Sequence, residues 1–261
     1  MSDFSTSSGI RVTKPAEHPH VWVVTIDRPP VNPLNNAATN ELGQVFDELP
    51  TDGSVRCVVL TGAGDKAFCA GADVREFGAL NLISSLRRSR QVRSAFDAIR
   101  EAPVPVIAAV NGAALGTGVG LAGASDVVVA AENAVFGLPE INVGRLGGAS
   151  HLLRLVPAKK MRWMALTGQR LSARELAQYG NVEKVVPLPE LMPTALAMAD
   201  EVAAKAPSVV RTQKEMLNLS EAMDLLNGYH VETLGSAIIS GNPEAVEAAK
   251  AMLEKRKPRF E

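Results

Sequence analysis

The chain has 261 residues, of which 46% are hydrophobic and 21% charged, and its formal net charge is -1. That length carries one large core, or a core with a small appendage, and the balanced charge gives no electrostatic reason to expect nucleic acid or an anionic membrane as partner. Cys57 and Cys69 lie in apolar surroundings and no apolar run reaches membrane-spanning length, so the sequence argues against a disulfide framework and a cytoplasmic setting is expected.

In chain order, segment 1–9 is polar and Ser-rich and reads as a frayed tail. Segment 21–26 is rich in β-branched residues and runs into Asp27-Arg28-Pro29-Pro30, a strand closed by a rigid turn. Leu42, Val45, Phe46 and Leu49 have helical spacing within 37–49, and 57–60 is a second strand. Segment 68–73 is a small-residue turn, 82–100 a long amphipathic helix whose Arg87, Arg88, Arg90 and Arg93 form a wet face, and 104–110 a buried strand. Short strands are expected at 126–131 and 134–137, then helices over 147–155, 158–167, 173–179 and 191–205 with a strand at 182–186; from 207 onward the chain reads as helical. Strand and helix alternation followed by helices predicts an α/β protein, with a core over 1–200 and a helical region over 201–261 whose apolar faces (Met216, Leu219, Leu225, Leu226) meet either the core or another subunit.

Between Asn111 and Asp126 the apolar run stops and small residues dominate. Glycine permits close backbone approach and positive φ, so the pattern is a strand, a tight turn and a helix. Two readings fit the residues alone. Free N–H groups at the helix start can face an anion or a polarised carbonyl oxygen, or the stretch is a small-residue helix packed in a core.

Phe68-Cys69-Ala70-Gly71-Ala72-Asp73, the turn Asn111 to Gly118, and Phe136-Gly137-Leu138-Pro139-Glu140 together resemble the crotonase (enoyl-CoA hydratase/isomerase) superfamily, in its order and spacing. The resemblance implies a spiral of ββα turns with a C-terminal helical oligomerisation region, and a homotrimer or dimer of trimers. It implies an acyl-CoA thioester substrate, with coenzyme A present only as part of that substrate and no further cofactor. By position the oxyanion hole falls to the backbone N–H groups of Ala72 and Thr117, which would stabilise negative charge on the thioester oxygen. Thr117 stands where the family usually has glycine, so a helical rather than a positive φ is expected for it.

The family's hydratases use two glutamates. Glu140 matches one; the other position is Gly120. A single carboxylate serves a proton shuttle or activates water for C–C or thioester cleavage, and Phe136, Leu138 and Ile141 around Glu140 would raise its pKa. Segment 118–157 is similar to actinobacterial hydrolases that open a ring of steroid-derived acyl-CoAs, which likewise lack the first glutamate. The resemblance also implies coenzyme A contacts at Val31, Ala70, Asp73, Val74 and Arg75, and at Lys255 reaching the coenzyme of a neighbouring subunit. His151 is a helix histidine among leucines, structural or assisting; Arg145 reads as a solvated charge; His18, His20 and His230 show no metal-ligand spacing. A hydratase/isomerase, a C–C hydrolase acting on a cyclic β-keto-acyl-CoA, and a non-catalytic CoA-binding protein are the three functions these residues leave open.

Overall fold

The computed structural model describes residues 4–5, 8–76 and 81–260. Its strands form two sheets that the chain feeds alternately. β1 (Phe4–Ser5), β2 (Ile10–Thr13) and β3 (Val21–Ile26) run antiparallel, and after helix α1 (Asn36–Asp47) strand β4 (Cys57–Gly62) pairs parallel with β3. From β4 the chain repeats one unit: a long strand in the large sheet, a three-residue strand in the small sheet, and a helix. These units are β4, β5 (Ala67–Cys69) and α2 (Leu82–Arg100); β6 (Val106–Val110), β7 (Ala113–Leu115) and α3 (Thr117–Ala124); and β8 (Val127–Ala131), β9 (Val135–Gly137) and α4 (Ala149–Leu152). α5 (Ala158–Thr167), β10 (Arg170–Ser172), α6 (Ala173–Ala177), β11 (Lys184–Val186) and α7 (Leu188–Ala203) follow, giving strand orders β1-β2-β3-β4-β6-β8-β11 and β10-β9-β7-β5. α8 (Pro207–Ser220), α9 (Leu225–Ile239) and α10 (Pro243–Leu253) close the chain.

The central strands are almost wholly apolar, Thr25 and Thr61 being the buried polar exceptions, because both of their faces are covered, the usual state of parallel strands. Side chains alternate between two cores. Val58, Leu60, Val106 and Ala108 pack with α1, α2, α3 and the small sheet, whereas Cys57, Val59, Ile107 and Ala109 pack against Leu191, Ala195 and Ala199 of α7. Side-chain caps set the starts of α1, α2 and α6: Asn35 accepts from the Ala38 N–H, and Asn81 and Ser172 form reciprocal capping boxes. Both cysteines are free and buried, and burial pushes each thiol up to about 12, so both are inert.

The expected strand at 21–26 and the helices at 82–100 and 158–167 have the limits anticipated from periodicity. Other expectations need correction. Segment 68–73 begins inside strand β5, and a strand, β7, separates Asn111 from the helix start. β2 and β10 were not anticipated; strands this short carry too few residues for an alternation and are defined by their neighbours. The helix expected over 147–155 contracts to 149–152 plus a turn, because Gly148 is left-handed at φ +66°. In the anticipated tail, residues 4–5 pair with β2 and Ser8 Oγ donates to Glu41; positions 1–3 and 6–7 lie outside the described residues.

Helix α8 is fastened to the segments that lead into β6 and β8 by a buried cation. Lys214 is 5% exposed, and its Nζ donates to Asp126 Oδ2 (2.8 Å) and to the carbonyls of Val104 (3.0 Å) and Ile99 (3.4 Å). The same Asp126 oxygen accepts from the Val106 N–H at 2.7 Å. Lys214→Met keeps the stem but leaves this acceptor cluster without its cation, and is expected to lower unfolding free energy by about 2 kcal/mol in urea titration. An unchanged midpoint would show that α8 is held by its apolar contacts alone.

Candidate active site

Three short parallel strands build one locus. β5, β7 and β9 lie side by side in the small sheet, with Cys69 opposite Ala114 and Leu115 opposite Gly137, so the segments leaving their C-terminal ends are neighbours. After β5 the chain turns through Gly71, whose φ is +108° and whose added Cβ would lie 3.2 Å from the Leu115 carbonyl oxygen. Leu34 bridges this turn: its N–H donates to Gly71 O and its carbonyl accepts from the Asp73 N–H, both at 2.9 Å. That pairing turns the Ala72 N–H away from Leu34, and among the described residues it meets no acceptor. After β7, Gly116 is the helix N-cap at φ 55°, ψ −110°, a glycine conformation. Thr117 is the first residue of α3, so its N–H has no intrahelical partner; as anticipated, its own backbone is helical and the strained position falls on Gly116.

β9 delivers Glu140. Its carboxylate rests on the N-cap: a Cβ at Gly116 would lie 2.5 Å from Glu140 Oε1, and one at Gly147 would lie 3.5 Å away. Oε2 is buried, and among the described residues no donor reaches it. Phe136 and Leu138 are buried beside it and Ile141 is half-buried. Desolvation therefore raises the Glu140 pKa above the ordinary value of 4.5, as the surrounding residues led us to expect. The Arg145 N–H donates to the Glu140 carbonyl at 2.9 Å, closing the turn that carries it, and the Arg145 side chain is half-buried rather than fully solvated.

The pattern described as Enoyl-CoA hydratase/isomerase matches residues 17–261. The chain belongs to the enoyl-CoA hydratase/isomerase family. It is similar to two enzymes named (7aS)-7a-methyl-1,5-dioxo-2,3,5,6,7,7a-hexahydro-1H-indene-carboxyl-CoA hydrolase. The Mycobacterium tuberculosis protein is 39% identical over 85% of this chain and 90% of its own length, and the Rhodococcus jostii protein 37% identical over 85% and 86%. Among solved structures, the enoyl-CoA hydratase of Bacillus anthracis superposes with a TM-score of 0.91 at 34% identity, covering 97% of this chain and 98% of that one. The protein is thus an enzyme of this family with the crotonase fold expected from the sequence.

Within the family frame, the position of the hydratases' other glutamate is closed. A Cβ at Gly120 would lie 2.2 Å from Cζ of Phe96, which is 6% exposed on α2. Edge-on to that ring stands His151, with centroids 4.6 Å apart at 61°. Burial, with Arg154 nearby, lowers the His151 pKa, so the imidazole is neutral near pH 7. Arg154 itself donates to the Gly123 and Ser125 carbonyls that end α3.

Of the residues that the resemblance assigns to coenzyme A, the Ala70 N–H donates to Val31 O at 3.0 Å and Val74 is 68% exposed beside the turn. The buried Asp73 carboxylate forms a fork with Arg75 (2.8 and 2.6 Å) and an ion pair with Arg28 (3.7 Å), which hold it down to about 2. The chain does not bring Lys255 to this turn; the tail is fastened at the far strand ends, where Arg56, just ahead of β4, donates to Phe260 O. Sequence reading missed Arg88. Instead of a wet face it is buried, donating to Glu76 Oε2 (2.6 Å), Asn36 Oδ1 (2.7 Å) and Leu34 O (3.4 Å), and so bracing the residue whose bridge orients Ala72. A basic run on a helix gives no sign that one member turns inward. Among the described residues no group of His, Cys, Asp and Glu is arranged to hold a metal.

Glu140 binds its proton more tightly in the folded than in the unfolded protein, so stability falls as pH rises from about 4.5 through its raised pKa. Glu140→Gln removes that slope. Its melting temperature relative to wild type should therefore climb between pH 4.5 and 8, and a pH-independent difference would mean that the carboxylate is solvated.

Proposed function

We propose that this enzyme transforms acyl-CoA thioesters by holding a developing thioester enolate between the Ala72 and Thr117 N–H groups while Glu140, its single acid/base, moves the proton. The observation that carries the reading is the lodging of one desolvated carboxylate against the N-cap of the helix whose first free N–H is that of Thr117. Fixed donors stabilise the enolate oxygen more than the ground-state carbonyl, and removing one such donor costs about 3 kcal/mol of barrier in comparable sites. Coenzyme A enters as part of the substrate, along Val31, Ala70, Val74 and an Arg75 guanidinium that Asp73 keeps at the turn. Exposed apolar side chains on α9 (Leu225, Leu226, Tyr229, Leu234) fit packing between copies in a homotrimer or dimer of trimers. In that assembly Lys255 would serve a neighbouring subunit. We place the enzyme in the cytoplasm, where buried unpaired cysteines stay reduced; among the described residues no helix is long and apolar enough to cross a membrane.

Two reactions use one carboxylate. In double-bond isomerisation Glu140 takes a proton from C2 of a 3-enoyl thioester and returns it to C4. In ring opening it takes a proton from water, hydroxide adds to the ring ketone of a cyclic β-keto thioester, the bond between that carbonyl and Cα breaks, and Glu140 returns the proton to Cα of the leaving enolate. The likeness to two ring-substrate hydrolases favours the second. So does the stretch after Glu140, where Val143 and Leu146 are 67% and 90% exposed and only a short turn precedes α4.

Purified protein assayed with a 2-ketocycloalkyl-carboxyl-CoA, a 3-enoyl-CoA and a short 2-enoyl-CoA should turn over the first or second faster than the third. Glu140→Gln should lose roughly 10²- to 10⁴-fold in kcat/KM. Because the base must be ionised, the acid limb of wild-type kcat/KM should lie above 4.5. Full turnover by the Gln variant would remove Glu140 from the mechanism. Acyl-CoA binding without turnover of any of the three would support a binding protein instead.

A further inference from the structure

We infer that Phe96 is a specificity-determining residue: seated on Gly120, its ring closes the place from which a second carboxylate would hold water beside Glu140, and so confines the site to one-carboxylate chemistry. The inference rests on the role proposed for Glu140. Its geometric basis is separate. The Gly120 N–H donates to Gly116 O at 3.1 Å, so position 120 lies one helical turn, about 6 Å, beyond the N-cap on which the Glu140 carboxylate rests. Three ring atoms of Phe96 (Cζ, Cε2 and Cε1) would stand 2.2, 2.6 and 2.9 Å from a Cβ at position 120, inside any permitted contact. The ring cannot swing aside cheaply. It is buried in the core with Val92 and Ile99 of its own helix, and His151 stands against it. Close approach of α4 fixes His151 in turn, since a Cβ at Gly123 would lie 2.4 Å from its carbonyl oxygen.

Phe96 and Gly120 are therefore one device. A glycine without its covering ring would leave a hole that water or a long side chain could enter, and the ring without the glycine would not fit. Hydration of a 2-enoyl thioester needs water to be held so that its oxygen bonds to C3 and its proton passes to C2 as the double bond is lost. At present one carboxylate faces that space. Restoring the second requires both changes.

The test is a double-mutant cycle on the full-length protein with Phe96→Ala, Gly120→Glu and the pair, followed by melting temperature, acyl-CoA binding and crotonyl-CoA hydration. Gly120→Glu alone should lower the melting temperature by several degrees without adding hydration. In the Phe96→Ala background the same change should cost far less, and the pair should hydrate crotonyl-CoA at least 10-fold faster than wild type. A smaller cycle with Gly120→Ala reads the packing even where the glutamate variant folds poorly: it should destabilise wild type and not the Phe96→Ala protein. Equal cost in both backgrounds overturns the plug. A folded, acyl-CoA-binding double variant with no gain in hydration overturns its role in specificity. Neither result bears on Glu140, whose assignment stands or falls on the Gln variant.

Discussion

The close approach of two backbones is the constraint on which the site depends. Segment 66–71, leaving β4 through β5, and segment 112–118, leaving β6 through β7, run so near each other that side chains have no room between them. A Cβ at Gly112 would lie 2.5 Å from the Lys66 carbonyl, and one at Gly118 would lie 2.2 Å from the Cys69 carbonyl oxygen. Any other residue at either position would push the second unit away from the first, and the turn carrying Ala72 away from the helix start carrying Thr117. An oxyanion hole of two backbone donors needs them fixed within a few tenths of an ångström. In the proposed role of the Ala72 and Thr117 N–H groups, that precision would come from main-chain packing, which side-chain motion cannot relax.

Polar groups around this contact are spent on holding it. Leu34, the residue that orients Ala72, receives hydrogen bonds from Asp73 and from the buried Arg88, and Arg88 is in turn neutralised by Glu76, which also accepts from the N–H of Asn36 at the first turn of α1. Asp73 is occupied by Arg75 and Arg28. Charged side chains flanking the turn are thus mutually satisfied, and among the described residues the site is left with one carboxylate oxygen, Glu140 Oε2, lacking a donor and two N–H groups lacking acceptors. Such groups weaken the fold slightly where they stand and are the ones free to act on a ligand.

Sequence made part of this legible. Long elements such as α2 and α5 were readable because several turns of apolar spacing specify them, and the alternation of strands and helices gave the class. Of the three-residue strands that carry the site, β9 lies within the strand anticipated over 134–137, whereas β5 and β7 were not readable, since they are defined by pairing with each other across more than forty positions, as in Cys69 with Ala114. Glu140, Ala72 and Thr117 came from the order of three motifs taken together. The residues around Asn111 had left open whether the helix was a packed core element or a donor of free N–H groups, and α3 is both: Gly118 to Ala124 are all buried while its N-terminus keeps Thr117 unpaired. Arg88 and Phe96 escaped notice for a common reason. Each acts through a contact between distant segments, and in one dimension the first is a member of a basic run and the second an ordinary core aromatic.

The absence of a side chain at Gly120 illustrates how such contacts carry chemistry. Taken from sequence, a glycine in place of a glutamate is a loss, and a loss predicts a cavity that water fills. The structure has no such cavity at that point, because α2 supplies a phenyl ring to the space. Desolvation is what raises the pKa of Glu140, and every water-sized gap near the carboxylate would offset it. A covered glycine is therefore chemically different from an empty one: in the proposed role of Glu140, it withholds the second carboxylate while leaving no gap at position 120 for water, and a desolvated carboxylate is a stronger base once ionised than a solvated one. If Glu140 acts as proposed, Gly120 and the ring above it belong to the same site.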